Sequence, residues 1–177
     1  MPETIRLEGP ISLVGAEEHP HAARRLREAL PSLQWQEVAS PVEGTPVVRL
    51  RRDDALPEGA FSLSVEESSN PPAVEVAGGP FSGVICGVEE LIQRRARQVG
   101  NAVELESGQV SQAPGLPYRT FWTWDHSTNW DLDQIGVQEI GVFNPYGKPP
   151  QGFLDDYRRV VDFMSQHRIA ALVIYGF

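Results

Sequence analysis

The sequence holds a single cysteine, Cys86, among 177 residues. One thiol closes no intrachain bridge, which excludes the disulfide-stapled scaffolds of small secreted domains. Cys86 lies in an apolar stretch with no base or cationic cluster beside it, so a buried structural thiol is expected rather than a nucleophile. Positive charge is also scarce: 15 Lys and Arg stand against 24 Asp and Glu, a formal net charge of −9. Binding to nucleic-acid phosphates needs clustered cations. The one dense basic run, Arg94-Arg95-Ala96-Arg97, falls on a predicted helix and reads as a solvated face. No run approaches the roughly 18 apolar residues of a membrane-spanning helix. The first 15 residues lack the basic stretch and long apolar run of a signal peptide, so the expected location is the cytoplasm. Neither nucleic acid nor membrane is an expected partner.

Signals for metals and cofactors are equally thin. His19-Pro20-His21 places two imidazoles at a helix start with no third ligand in view. Gly78, Gly79, Gly83 and Gly87 follow a strand and open a helix, but neither phosphate-loop spacing is present. Close packing of helix on sheet accounts for these glycines better. No Ser-His-Asp set comes with a supporting elbow motif. No cofactor and no metal are expected.

What is present suits an ordinary globular chain: 41% hydrophobic and 22% charged residues, enough to bury a core of one domain and a fraction. Ile11–Val14 reads as a strand and Glu17–Leu30 as a helix with Ala22, Ala23, Leu26, Ala29 and Leu30 on one face, closed by Pro31. Val47–Leu50 is a second strand. Phe61, Leu63 and Val65 alternate with serines, and Val74 and Val76 repeat that pattern after the Asn70-Pro71-Pro72 turn. Phe81–Val99 reads as a helix stopped by Gly100-Asn101, and Val103 and Leu105 as a short strand. The expected class is α+β, a small open sheet with two helices on one face.

The polar, Pro- and Gly-rich stretch Ser107–Pro117 marks a domain boundary, giving an accessory domain over 1–113 and a second region over 114–177. That region opens with the aromatic strand Arg119–Trp124, followed by a long irregular segment from Asp125 to Gln151. A helix follows, with Phe153, Tyr157, Val160, Val161 and Met164 on one stripe. The last run, Ile169–Tyr175, is apolar at nearly every position. Such a strand needs cover on both faces, as in parallel sheets sandwiched by helices. Strand, helix, strand is a βαβ unit, and one unit alone cannot supply that cover. The expectation is the start of a (β/α)8 barrel, incomplete in this chain, whose unpaired strands promote self-association.

In such a barrel the carboxyl ends of the strands build the site. Trp124, Asp125, His126 and Trp130 would then border it, with aromatic rings for the apolar faces of sugars, and Asp and Arg for their hydroxyls. The plainer alternative makes Trp122 and Trp124 core residues and Asp125 a turn cap.

Three stretches carry a resemblance. Gly79–Leu91 has a glycine-punctuated strand-to-helix step, Leu116–Asp125 has Pro-Tyr-Arg, four residues, then Trp-Asp, and Asp155–Tyr175 has a helix and an apolar strand. Together they resemble the N-terminal accessory domain and first barrel elements of the α-glucuronidase family of glycoside hydrolases. More loosely they resemble the β-N-acetylhexosaminidases, which share that accessory domain. The resemblance implies an oligo- or polysaccharide partner bound through the complete barrel. It gives Arg119 the role of a hexosaminidase arginine that binds sugar hydroxyls, and matches Trp124 and Asp125 to the Trp-Asp pair of the α-glucuronidases. His126 stands where those enzymes usually have Asn, and Gly136–Gly141 replaces their Glu-Arg-Gly-Tyr-Ala-Gly segment. Glycoside hydrolysis needs two carboxyl groups across the bond, and the resemblance puts both on later barrel strands. Asp125, Asp131, Asp133 and Glu139 form no convincing pair, so the chain by itself is expected to be inactive. A non-catalytic carbohydrate-binding or interaction module, or a bare structural domain, is the competing reading.

Overall fold

A computed structural model describes residues 3–66, 69–116, 119–124 and 150–175. The chain divides into two compact units, Met1–Pro117 and Tyr118–Phe177. Its class is mixed α and β, with multi-stranded sheets and three helices among the described residues.

In the first unit the elements run β1 (Thr4–Leu7), β2 (Pro10–Val14), α1 (Pro20–Ala29), β3 (Gln34–Val38), β4 (Val47–Arg52), β5 (Phe61–Glu66), β6 (Ala73–Gly78) and α2 (Gly83–Glu90). After α2 come a π-helical turn over Leu91–Arg95 and the strands β7 (Ala96–Val99), β8 (Ala102–Glu106) and β9 (Gly108–Gln112). Six strands form one sheet in the order β3-β2-β4-β6-β5-β9. Its first four strands are parallel, β5 runs antiparallel to β6, and β9 runs antiparallel to β5. A second, antiparallel sheet has the order β1-β8-β7.

Period-two patterning decides which way the large sheet faces. Val48 and Leu50 of β4, Leu63 and Val65 of β5, and Val74 and Val76 of β6 point into the core, while Arg49, Arg51, Ser62, Ser64 and Glu75 take the other face. Ser12 is buried on that other face of β2, where its hydroxyl meets that of Thr45 at 2.7 Å and accepts the Val42 N–H at 3.1 Å. Ile5, Leu7, Val103 and Leu105 of the small sheet join the same core as Leu26 of α1, Val88 of α2 and the large sheet. Cys86 is buried within it.

Helix α2 is buried at seven of its eight positions. It packs on β4, β5 and β6 and against α1. Glycine makes this approach possible. A Cβ on Gly87 would come within 2.6 Å of Val76 Cγ1, and one on Gly78 or Gly83 would collide with backbone. Glu89 is fully buried on this helix. Its carboxylate accepts the Arg25 Nε–H at 2.8 Å and a Gln93 amide N–H at 2.9 Å. An ion pair so placed ties α1 to α2, and removing one partner strands a charge.

Several boundaries differ from the sequence reading. The first helix starts at Pro20, not Glu17, because proline at the first helical position sets the start. The second ends at Glu90 instead of Val99. Gly100-Asn101 is a hairpin turn between β7 and β8, not a helix stop. The basic run 94–97 therefore spans the π turn and β7 rather than a helical face. Arg95 is mostly buried, with its Nε lacking an acceptor. Val103 and Leu105 belong to the small sheet, not the large one. Gly108–Gln112, expected as linker, is the edge strand β9 on β5. The strands β1 and β3 were not expected at all.

The second unit contains β10 (Thr120–Trp124), α3 (Pro150–Gln166) and β11 (Ala171–Tyr175). The two strands are parallel, in register from Thr120 with Ala171 to Trp124 with Tyr175. Met164 of α3 is buried, and the Phe163 ring meets Phe121 edge-on at 6.4 Å and His167 at 4.3 Å. Arg168, at φ 57°, ends the helix. The Ile169 N–H donates back to the Met164 carbonyl at 2.8 Å in a left-handed closure that turns the chain into β11.

Two substitutions test this packing in urea unfolding. Glu89→Ala is expected to cost about 3–5 kcal/mol, and replacing Arg25 and Glu89 together by apolar residues to recover much of it. Gly87→Ala is expected to cost about 1–3 kcal/mol by overpacking against Val76; an unchanged midpoint would show the contact to be slack.

Candidate functional site

Because β10 and β11 run the same way, Trp124 and Tyr175 are register partners at their carboxyl ends. In parallel α/β architectures ligands bind at that end. Arg119 precedes the first residue of β10, at the opposite end. The five residue steps from 119 to 124 span about 16 Å of strand. Arg119 and Trp124 are thus not brought to one end of the strand. The Arg119 carbonyl accepts the N–H groups of Ala170 and Ala171, at 2.8 and 3.2 Å. Its Nε is buried and has no hydrogen-bond partner among the described residues. A buried unpaired donor is costly, and a ligand hydroxyl or carboxylate is one way to satisfy it. Asp125, His126, Trp130, Asp131, Asp133 and Glu139 lie outside the described residues.

The first unit has concave surface of its own, which the sequence reading missed. The chain leaves β2 for β3 on one side and then enters β4 on the other. At such a switch point the carboxyl ends part and leave a crevice. A cavity of about 390 Å³ lies there, lined by Val14, Ala16, Val38 and Leu50 with Glu17, Glu37, Arg49 and Arg51 at its charged parts. Glu37, Arg49 and Arg51 are committed to partners outside this lining. Arg51 donates to Glu75 at 2.9 Å and Asp53 at 3.0 Å, and Arg27 pairs with Glu37. The hydrogen bond from Arg51, followed by that from the Ala55 N–H, holds the Asp53 carboxyl below its usual range. Hydrogen bonds to Glu75, first, and to Asp53 raise Arg51 above its ordinary range.

A neighbouring hollow of about 350 Å³ is lined by Glu18, His19, Arg52, Gly79, Phe81 and Val84. Phe81, read from sequence as the first residue of a helix, precedes α2, is 83% exposed and has φ 64°. The His19 Nε2 is buried without a hydrogen-bond partner. Burial lowers the His19 pKa, with Arg52 pushing the same way and Glu18 opposing. The only sequence signal here was the His-Pro-His triplet. Among the described residues no group of three or more His, Cys, Asp or Glu could hold a metal ion, and no helix is long and apolar enough to cross a membrane.

No protein-family model and no curated protein matches the chain. Solved structures do. An exo-β-N-acetylglucosaminidase of glycoside hydrolase family 20 from Vibrio harveyi superposes with a TM-score of 0.64 at 12% identity, over 99% of this chain and 23% of that one. An enzyme of glycoside hydrolase family 138 that targets pectin rhamnogalacturonan II gives 0.61 at 18%, over 96% of this chain and 24% of that one. The β-N-acetylhexosaminidase of Bacteroides fragilis gives 0.57 at 14%, over 98% and 42%. The fold is one found within glycoside hydrolases. The chain spans between about a quarter and two fifths of these enzymes' lengths, and at such identities the likeness is one of fold.

The His19 shift carries a pH dependence. Its folded pKa lies below the ordinary value of 6.5, so the unfolded chain takes up this proton first as pH falls. The stabilisation is complete above about pH 6.5 and is lost as pH drops through the folded pKa. His19→Gln is expected to flatten the fall in unfolding free energy between about pH 7 and 5, read from urea titrations at each pH.

Proposed function

We propose that the chain is the N-terminal portion of a carbohydrate-active glycoside hydrolase. It would comprise an α+β accessory unit followed by the first β-α-β of a (β/α)8 barrel, α-glucuronidase-like in its Pro-Tyr-Arg and Trp-Asp motifs. The observation that carries this reading is the parallel β10-α3-β11 unit. Among the described residues β11 pairs with β10 alone, and Val173 in its middle is 46% exposed. An apolar strand of that kind suits a parallel sheet continued on its far side and covered by helices. Fold likeness to parts of family 20 and family 138 enzymes supports the same reading.

In this reading the substrate is an oligo- or polysaccharide held at the carboxyl end of the barrel. Trp124 offers an aromatic ring to a sugar face, and Asp125 and His126 are hydrogen-bond partners for hydroxyls. Arg119 precedes β10 at the opposite end and is not part of this set. The acid and its partner carboxylate come from later strands, so the 177-residue chain by itself does not hydrolyse. A non-catalytic module is the second reading, favoured by the closed core of the first unit, which joins both its sheets and both its helices.

The test is to express the chain with the sequence that follows it in its gene and assay chromogenic glycosides, including a β-N-acetylglucosaminide and an α-glucuronide. Activity is expected in the longer protein and none in the shorter. Asp125→Ala is expected to lower kcat/KM by about 10- to 100-fold, the worth of a hydrogen bond to a charged group. The short chain is expected to elute in size-exclusion chromatography as a concentration-dependent oligomer. A gene that stops after Phe177, with a monomeric product, would overturn the reading.

A further inference from the structure

We propose that the hollow between Phe81 and His19 is a separate sugar-binding site of the first unit, taking the ring of a neutral pyranose. It lies at the carboxyl ends of β4 and β6, beside the start of α1, and is built wholly from the first unit. It does not depend on the barrel reading.

The first observation is Phe81. A bulky side chain at φ 64° is strained, and the ring is 83% exposed, so no core packing offsets that cost. The segment is pinned on both sides. Gly79 N–H donates to the Ala60 carbonyl at 2.8 Å, Gly59 N–H to the Pro80 carbonyl at 3.0 Å, and Cys86 N–H to the Ser82 carbonyl at 2.9 Å. Glycine at position 79 is enforced, since a Cβ there would strike the Pro57 carbonyl. The backbone thus fixes Phe81 at the rim of the hollow, with its ring exposed.

The second observation is the polar set around that face. His19 brings a buried Nε2 with no protein partner. Glu18 brings an acceptor, and Arg52 a guanidinium whose Nε is bound to Asp54 at 2.6 Å and whose fork has further donors. One carboxylate and one guanidinium offset each other, which suits a neutral ligand. A pyranose has an apolar C–H face for the ring and a rim of hydroxyls, each both donor and acceptor. A volume of about 350 Å³ falls within the range of small-molecule sites.

The test is an amide-resolved NMR titration of the full 177-residue protein with glucose and N-acetylglucosamine as probes, up to about 50 mM, since one ring on one aromatic platform binds in the millimolar range. Saturable shifts are expected at the amides of His19, Gly79 and Val84. Phe81→Ala is expected to weaken them at least 10-fold, and Trp124→Ala to leave them unchanged, which separates this site from the barrel. Phe81→Gly is expected to abolish binding while raising Tm, because it relieves the left-handed backbone. Absence of shifts at those amides, equal shifts in Phe81→Ala, or a fall in Tm for Phe81→Gly would each overturn the proposal. The last outcome would show that the ring serves packing.

Discussion

The first unit is organised around how closely one helix approaches its sheet. Helix α2 has almost no free surface, and the glycines at 78, 83 and 87 are what let it sit so near β5 and β6. From that contact the rest follows. A helix so enclosed can carry a polar residue only with a partner, and Glu89 has Arg25 and Gln93. The pair fixes α1 beside α2. With both helices placed, the small sheet closes the core from β1, β7 and β8. The ion pair adds little net free energy over an apolar replacement, but it distinguishes one helix arrangement from its alternatives.

Much of this was legible in the sequence because its signals are local. The alternation in Phe61–Val65 and Val74–Val76, the apolar stripe of α1 and the glycine-rich step at 78–87 each report on their own neighbourhood. What was missed depends on partners far along the chain. β1 has only four residues and takes its register from β8, about a hundred residues later. β3 is mostly exposed, and exists because β2 offers it a parallel edge. Ala96–Val99 carries helix-compatible residues, and tertiary pairing with β8 overrides that propensity. The strand β9, a polar stretch, was hidden for the same reason: the edge of a sheet tolerates residues that a central strand does not.

Of the candidate site, the strand directions and the order of elements were readable, since an aromatic strand, a striped helix and an apolar strand form a recognisable βαβ series. Strand rise alone sets Arg119 and Trp124 at opposite ends of β10. The hollow at Phe81 left almost no trace in sequence. An exposed phenylalanine at a left-handed backbone angle looks like any helix-starting aromatic until the turn before α2 is seen.

The pairing of β1 with β8 also bears on how the protein comes into being. Ile5 and Leu7 are shielded by Val103 and Leu105, and the Glu3 carbonyl is capped by the Ser107 N–H at 2.9 Å. On the ribosome β1 is therefore made about a hundred residues before its partner β8 and docks only after they have emerged. Until then its two apolar side chains remain in water, at the stage when nascent chains are most exposed to chaperones and to misassembly.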